Sequence, residues 1–177
     1  NSANPVLSIR KEGNTLAWGA VYEQYFQEID KVKGQKGVLS VEKKLFVETN
    51  NGTNRQIRPV TPEQPLRIGD KVIVRLTIRT DREMNYVFLK DLRAGCFEPA
   101  DQLSGPESRD GIWYYRSPKD VSENFFINRL PEGTFVLEYP VYVSRSGEYA
   151  GGISTIQCMY APEFVSHTAG ESLRIMP

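Results

Sequence analysis

The sequence predicts an all-β protein: an antiparallel β-sandwich of immunoglobulin-like architecture over residues 38–177, preceded by a β-hairpin and linker over residues 1–37. Three observations predict it. Lys71 to Thr80 alternates without a break, with Val72, Val74, Leu76 and Ile78 on one face, which is the period of two of a half-buried strand. Short apolar segments recur between turn sequences such as Asn50-Asn51-Gly52, Ile68-Gly69-Asp70 and Pro131-Glu132-Gly133. The closing block, from Gly147 to Pro177, reads as strand, glycine break, strand, proline stop and strand, and holds no grouping able to do acid/base or metal chemistry.

Taken in order, Val6–Arg10 and Thr15–Tyr25 read as two strands joined by the turn Lys11-Glu12-Gly13-Asn14. A lone hairpin is marginal in water, so this one is expected either to complete a preceding β-domain or to pack on the sandwich. Gln27 to Gly37 is charged and glycine-bearing and reads as a linker. Leu39–Val47 alternates with a slip near Lys44, which suggests a bulge. Further strands are expected at 85–91, 111–116, 124–130, 134–144, 147–150, 153–160 and 173–176, with an exposed loop over 102–110 and a turn near Val121. Pro140 inside a strong strand marks an edge or bulge, because proline cannot donate to a ladder.

Composition limits function. Lys+Arg and Asp+Glu both total 22, so no net charge draws the chain to a phosphate backbone, and nucleic acid is excluded as an expected partner. No run approaches the roughly 20 apolar residues that span a bilayer, so no membrane insertion is expected. The chain begins at Asn1 without a leader pattern, which suggests a processed or excised segment; any export signal or lipid anchor would lie upstream.

Candidate chemistry is sparse. His167, the single histidine, lies in a polar turn with no G-x-S-x-G serine to partner it. One His and two distant Cys make no zinc site. Asp91, Glu98, Asp101 and Asp110 lie near loops and read as solvated or capping carboxylates rather than a glycosidase pair. Nucleotide-binding glycine loops are absent, and neither cofactor nor metal is expected. Cys96 and Cys158 are either two buried thiols or, in an oxidising compartment, a bridge stabilising by roughly 4 kcal/mol on the chain-entropy model. Trp113-Tyr114-Tyr115 is an aromatic run on a strand. Adjacent residues face opposite ways, so one of Tyr114 and Tyr115 must point outward, as core filler's neighbour, interface anchor or sugar platform.

Four segments then act together. Asp91-Leu92-Arg93-Ala94-Gly95-Cys96-Phe97-Glu98-Pro99 resembles the D-x-L-P-A-G-F-E block of the C-terminal macroglobulin-like domain of bacterial (Bacteroidetes-like) alpha-2-macroglobulins. Leu66 to Val72 resembles that family's L-x-x-G-D-x-V strand entry, Leu130 to Phe135 its L-P-x-G-T turn, and Met159-Tyr160-Ala161-Pro162-Glu163 its M-Y-x-P-E segment, in the family's order. Arg93 replaces a frequent proline and Cys96 is an addition. The resemblance implies a macroglobulin-like sandwich, no enzyme activity, and a periplasmic or cell-surface protease trap of which this is one module. The implied partners are upstream domains of the same polypeptide, above all a thioester domain, and target proteases met by the full-length protein. Neither cysteine begins the thioester motif Cys-Gly-Glu-Gln, so the implied role is to pack on and shield the thioester domain, with Trp113, Tyr114 and Tyr115 as the interface and Cys96–Cys158 as a bridge. The alternative is a carbohydrate-binding or adhesin-type sandwich, which an aromatic strip would also serve.

Overall fold

The computed structural model describes residues 8–177 except 20, 22, 23, 52, 53 and 62. Its described residues form fourteen strands. They are β1 (Leu39–Asn51), β2 (Asn54–Pro59), β3 (Leu66–Arg67), β4 (Lys71–Thr80), β5 (Met84–Leu92), β6 (Phe97–Pro99) and β7 (Gly105–Arg109). The second half adds β8 (Ile112–Pro118), β9 (Ser122–Leu130), β10 (Gly133–Val143), β11 (Gly147–Ala150), β12 (Ser154–Cys158), β13 (Val165–His167) and β14 (Ser172–Met176).

Two large antiparallel sheets face each other, one ordered β2-β1-β4-β10-β6 and the other β13-β12-β5-β9-β8-β7. A small third sheet, β11-β14-β3, carries a parallel pair between β14 and β3. The alternation read in Lys71–Thr80 is the structural one: Val72, Val74, Leu76 and Ile78 are buried, against Leu137, Tyr139 and Val141 of β10 in the same sheet and Val87, Leu89, Phe125, Ile127 and Ile156 from the facing sheet. Full burial of each such side chain stabilises by about 1.5–3 kcal/mol, so this cluster holds the sandwich together.

Several expectations change in contact with the fold. β1 has no bulge at Lys44, since its register with β4 runs unbroken from Leu39↔Thr80 to Glu48↔Lys71. The slip in the pattern arises because Lys43 occupies an inward position, where a buried carboxylate receives it. The expected loop at 102–110 contains β7, an edge strand paired only to β8 and closed by Asp110-Gly111, both at positive φ (50° and 81°). That Asp-Gly pair is a hairpin signal in the sequence, masked by the polar composition of an edge strand. Ser122 and Glu123, expected in a turn, begin β9. Pro140 pairs with Ile73, and its carbonyl accepts from Ala100 where the short β6 ends, so no donor is needed on that side.

Across the expected N-terminal hairpin, none of the described residues from 8 to 28 is in a strand, and Leu16, Trp18, Val21, Tyr25 and Phe26 are exposed. Val6, Leu7, Ala20, Tyr22 and Glu23 of that reading lie outside the described residues. The expected linker is instead a docked strap. A 3-10 turn at Ile29–Lys31 leads into backbone bonds between Gln35 and His167 in both directions (2.9 and 3.1 Å) and from Gly170 to Val32 (2.8 Å). A Cβ on Gly170 would lie 1.9 Å from the Ile29 carbonyl, so only glycine lets the two backbones approach this closely.

Candidate functional site

Two places concentrate side chains beyond ordinary packing. The first is an interior polar network at the end of β5 where Leu92 leaves the sheet. Asp91 is fully buried. It accepts from Tyr139 (2.5 Å), Ser154 (2.8 Å) and Lys43 (2.8 Å), and Lys43 also donates to the carbonyls of Leu92 (3.0 Å) and Gly151 (3.1 Å). One strand over, at the position paired with Asp91, Glu123 is equally buried and takes Arg93 Nη2 (3.1 Å) and Arg116 Nε (2.7 Å). Arg93 is fixed further by the carbonyls of Lys119 and Asp120, and Arg116 reaches Asp101 and Glu107 at 3.4 and 3.5 Å. Each buried charge therefore has an opposite charge beside it, the condition under which buried ions are tolerated, while Arg93 Nε and Arg116 Nη2 are buried without a hydrogen-bond partner.

Electrostatics follow from that burial. The Tyr139 phenol is pushed well above its ordinary range by desolvation and then by the Asp91 charge. Tyr114 is pushed up to about 12 by burial and by its bond to Glu107. Burial raises the Glu123 carboxyl, with Arg116 and then Arg93 pulling it back. The network draws side chains from six strands, β1, β5, β8, β9, β10 and β12, with Glu107 of β7 at its edge.

The carboxylates weighed in the sequence do not converge on a reaction centre. Asp91 lies in the network, Asp101 accepts from the Leu103 amide and Arg116, and Asp110 accepts from the Val136 amide. His167 presents its ring to the Thr168 carbonyl and its backbone to the strap. Among the described residues no cluster of three or more His, Cys, Asp or Glu could hold a metal ion.

The proposed Cys96–Cys158 bridge is corrected by the fold: both thiols are buried and free. Cys158 pairs with Val87 near the start of β5, whereas Cys96 follows the end of that strand and its carbonyl accepts from Ser144. At about 3.3 Å per residue the two are separated by roughly 15 Å along the strand direction, where a bridge needs Cα atoms within about 7 Å. Burial pushes the Cys96 thiol up to about 11, so it is a packing residue rather than a nucleophile.

The second place is the outer face of the six-stranded sheet. Trp113 (71% exposed) and Tyr115 (47%) point outward from β8, while Tyr114 between them turns into the core and packs edge-on against Phe125. Tyr115 pairs with Phe126 and Phe126 with Phe88, whose rings stack at 4.9 Å. Beyond Phe88 stand Tyr86 and Tyr160 in a T-shaped contact at 5.1 Å, with Met159 beside them. Tyr160 is 80% exposed. The backbone under this end is braced: Met159 N–H donates to the Tyr86 carbonyl (2.9 Å), the Cys158 thiol to the Asn85 carbonyl (3.3 Å) and Phe164 N–H to Ala161 (3.0 Å). Tyr86 has φ 55°, a left-handed conformation that costs a non-glycine residue about 1–3 kcal/mol. Sequence reasoning singled out Trp113, Tyr114 and Tyr115 for the interface and did not place Tyr86, Phe88, Phe126, Met159 or Tyr160 there. The signal was present in Met159-Tyr160, two large residues between a strand end and a proline.

Fold and surfaces together define a macroglobulin-like β-sandwich module. Residues 39–163 match the bacterial alpha-2-macroglobulin MG10 domain, and the chain belongs to that family. Its fold is similar to crystal structures of Salmonella alpha-2-macroglobulin reacted with methylamine (TM-score 0.63, 21% identity, covering 82% of this chain and 10% of that one) and of native Escherichia coli alpha-2-macroglobulin from domain MG7 to the C-terminus (TM-score 0.63, 16% identity, 81% and 24%). It is also 28% identical over 109 residues to circularly permutated Ras protein 2 of Dictyostelium discoideum, covering 62% of this chain and 3% of that protein. The chain thus spans about a tenth of the length of the Salmonella protein it resembles. Among the described residues no helix is long and apolar enough to cross a membrane.

Proposed function

We propose that this chain is a non-catalytic docking domain of an exported, periplasmic or cell-surface alpha-2-macroglobulin-like protease trap, and that its outer aromatic face packs on the thioester domain of the same polypeptide and keeps water from the ester. The single observation that carries this reading is the aromatic surface from Trp113 and Tyr115 across Phe126 and Phe88 to Tyr86, Met159 and Tyr160. Aromatic and methionine side chains displayed on a rigid sheet suit the centre of a protein interface. A thioester is lost to water, so a partner that excludes water lengthens its life. Tyr114, expected in the interface, contributes from beneath as packing. The exposed apolar residues from Leu16 to Phe26 fit the same picture, as a segment completed by the preceding β-domain.

A carbohydrate platform is the weaker reading, because the stacked Phe88 and Phe126 rings each spend a face on the other. The test uses the full-length polypeptide. Tyr160→Ala and Trp113→Ala should each accelerate spontaneous appearance of the thioester cysteine's thiol, by roughly tenfold for the loss of about 1.4 kcal/mol of interface. An unchanged thiol-release rate in both variants, or tight binding on a glycan array, removes the docking reading.

A further inference from the structure

The outer edge of β1 is only half used. β2 pairs with it from Phe46 to Asn51, and the Val60 amide then donates to the Leu45 carbonyl (2.9 Å). From Leu45 back toward Leu39, β1 keeps β4 on one side and has no β2 on the other. Alternation decides which main-chain groups look into that gap: residues in step with Leu45, namely Lys43 and Val41, turn N–H and C=O away from β4. Across the gap β14 is paired to β3 only at Ile175 and Met176. The Gly151 amide donates to the Glu171 carbonyl (2.7 Å) on the β11 side, so the main chain of the next residue, Ser172, faces the gap.

Between these two edges runs a cleft of about 770 Å³ walled by Leu45, Val60, Leu66 and Leu173, and a second cavity of about 430 Å³ continues it past Val41. The cleft exists because β2 ends at Pro59, which stands opposite Phe46 and needs no donor there, and the chain then diverges toward Pro65 and β3.

We propose that this cleft is a strand-acceptor site for an extended segment of the same polypeptide from outside residues 1–177, bonded through its backbone to Val41 and Lys43 and seated by alternate apolar side chains on Leu45, Val60 and Leu173. Two facing strand edges whose main-chain groups have no partner among the described residues recognise an extended backbone in preference to a helix or a small molecule. The same polypeptide is the occupant because this chain is about a tenth of the Salmonella relative's length, so most of the chain that can reach the cleft lies outside it. The contact is separate from the aromatic face, which lies on the other sheet, and it does not depend on the thioester reading.

Amide hydrogen exchange tests it. Val41 and Lys43 should exchange at least about tenfold more slowly in the full-length polypeptide than in this chain alone, while Glu42 and Lys44, bonded to β4 in both, change little. Val41→Pro removes the outward donor without touching the β4 ladder, and should abolish the added protection at Lys43. Three results would overturn the proposal: equal exchange of wild-type Val41 and Lys43 in both forms, slow exchange already present in the lone chain, or protection that rises with the lone chain's concentration, which would assign the cleft to a second copy.

Discussion

The interior network around Asp91 and Glu123 and the outer face around Tyr115 and Tyr160 are opposites. The first puts charge where water is absent, and every charge there is held by a partner. The second puts aromatic surface where water is present, with a strained Tyr86 and no covering element among the described residues. Charged residues in a protein interior invite a catalytic reading, yet each of these is held against an opposite charge. The difference teaches that in this domain buried polar groups tie strands together, while the exposed aromatics form the surface that the proposed docking would use.

The comparison breaks first at the network. Asp91→Ala leaves Lys43 without its counter-ion and strips Tyr139 and Ser154 of an acceptor, so unfolding free energy should fall by about 3–5 kcal/mol, read by denaturant titration. A loss under ~1 kcal/mol would mean that water reaches Lys43 and that the site is open after all.

Alkaline pH sharpens the same point. Tyr139 and Tyr114 are raised in the fold relative to the unfolded chain, so the native state holds their protons more tightly. Their stabilising contribution is complete below pH ~10 and is lost as pH rises toward the folded values. Stability should therefore decline from about pH 10 upward, and an ultraviolet titration should show two of the nine tyrosines ionising only with unfolding. Tyr139→Phe should remove part of that decline.

The cysteines give a smaller, all-or-none outcome. Native protein without reductant should resist iodoacetamide at pH 8, and denatured protein without reductant should gain two carbamidomethyl groups by intact mass, one for each of the two cysteines. No gain after denaturation would establish a bridge. The smallest effect belongs to the outer face: Trp113→Ala and Tyr160→Ala should each change the stability of the lone chain by less than about 0.5 kcal/mol. A larger loss would make those rings part of the core rather than a free surface.

Legibility in the sequence followed how local the cause was. β10 is readable because its inward residues, Phe135, Leu137, Tyr139, Val141 and Val143, are apolar or aromatic at a period of two, and β4 nearly so, with Ile73 also buried on its other face. β1 was misread as bulged because its inward Lys43 answers to Asp91, 48 residues away. Asp91 reads in the sequence as a solvated strand-end carboxylate, which is the usual fate of that residue type. The facing of Trp113, Tyr114 and Tyr115 was reducible to two alternatives by alternation alone, and only the core's position chose between them.

What the sequence determined unaided is the layer architecture and the family, because hydrophobic period, turn residues and short ordered motifs are properties of neighbouring residues. What only the tertiary structure decided is which charges lie inside, which aromatics lie outside, that the cysteines stand at opposite ends of β5, and that residues 29–37 are strapped to 167–172. Each of these depends on distances between segments far apart in the chain, and packing sets those distances in ways that no local pattern encodes.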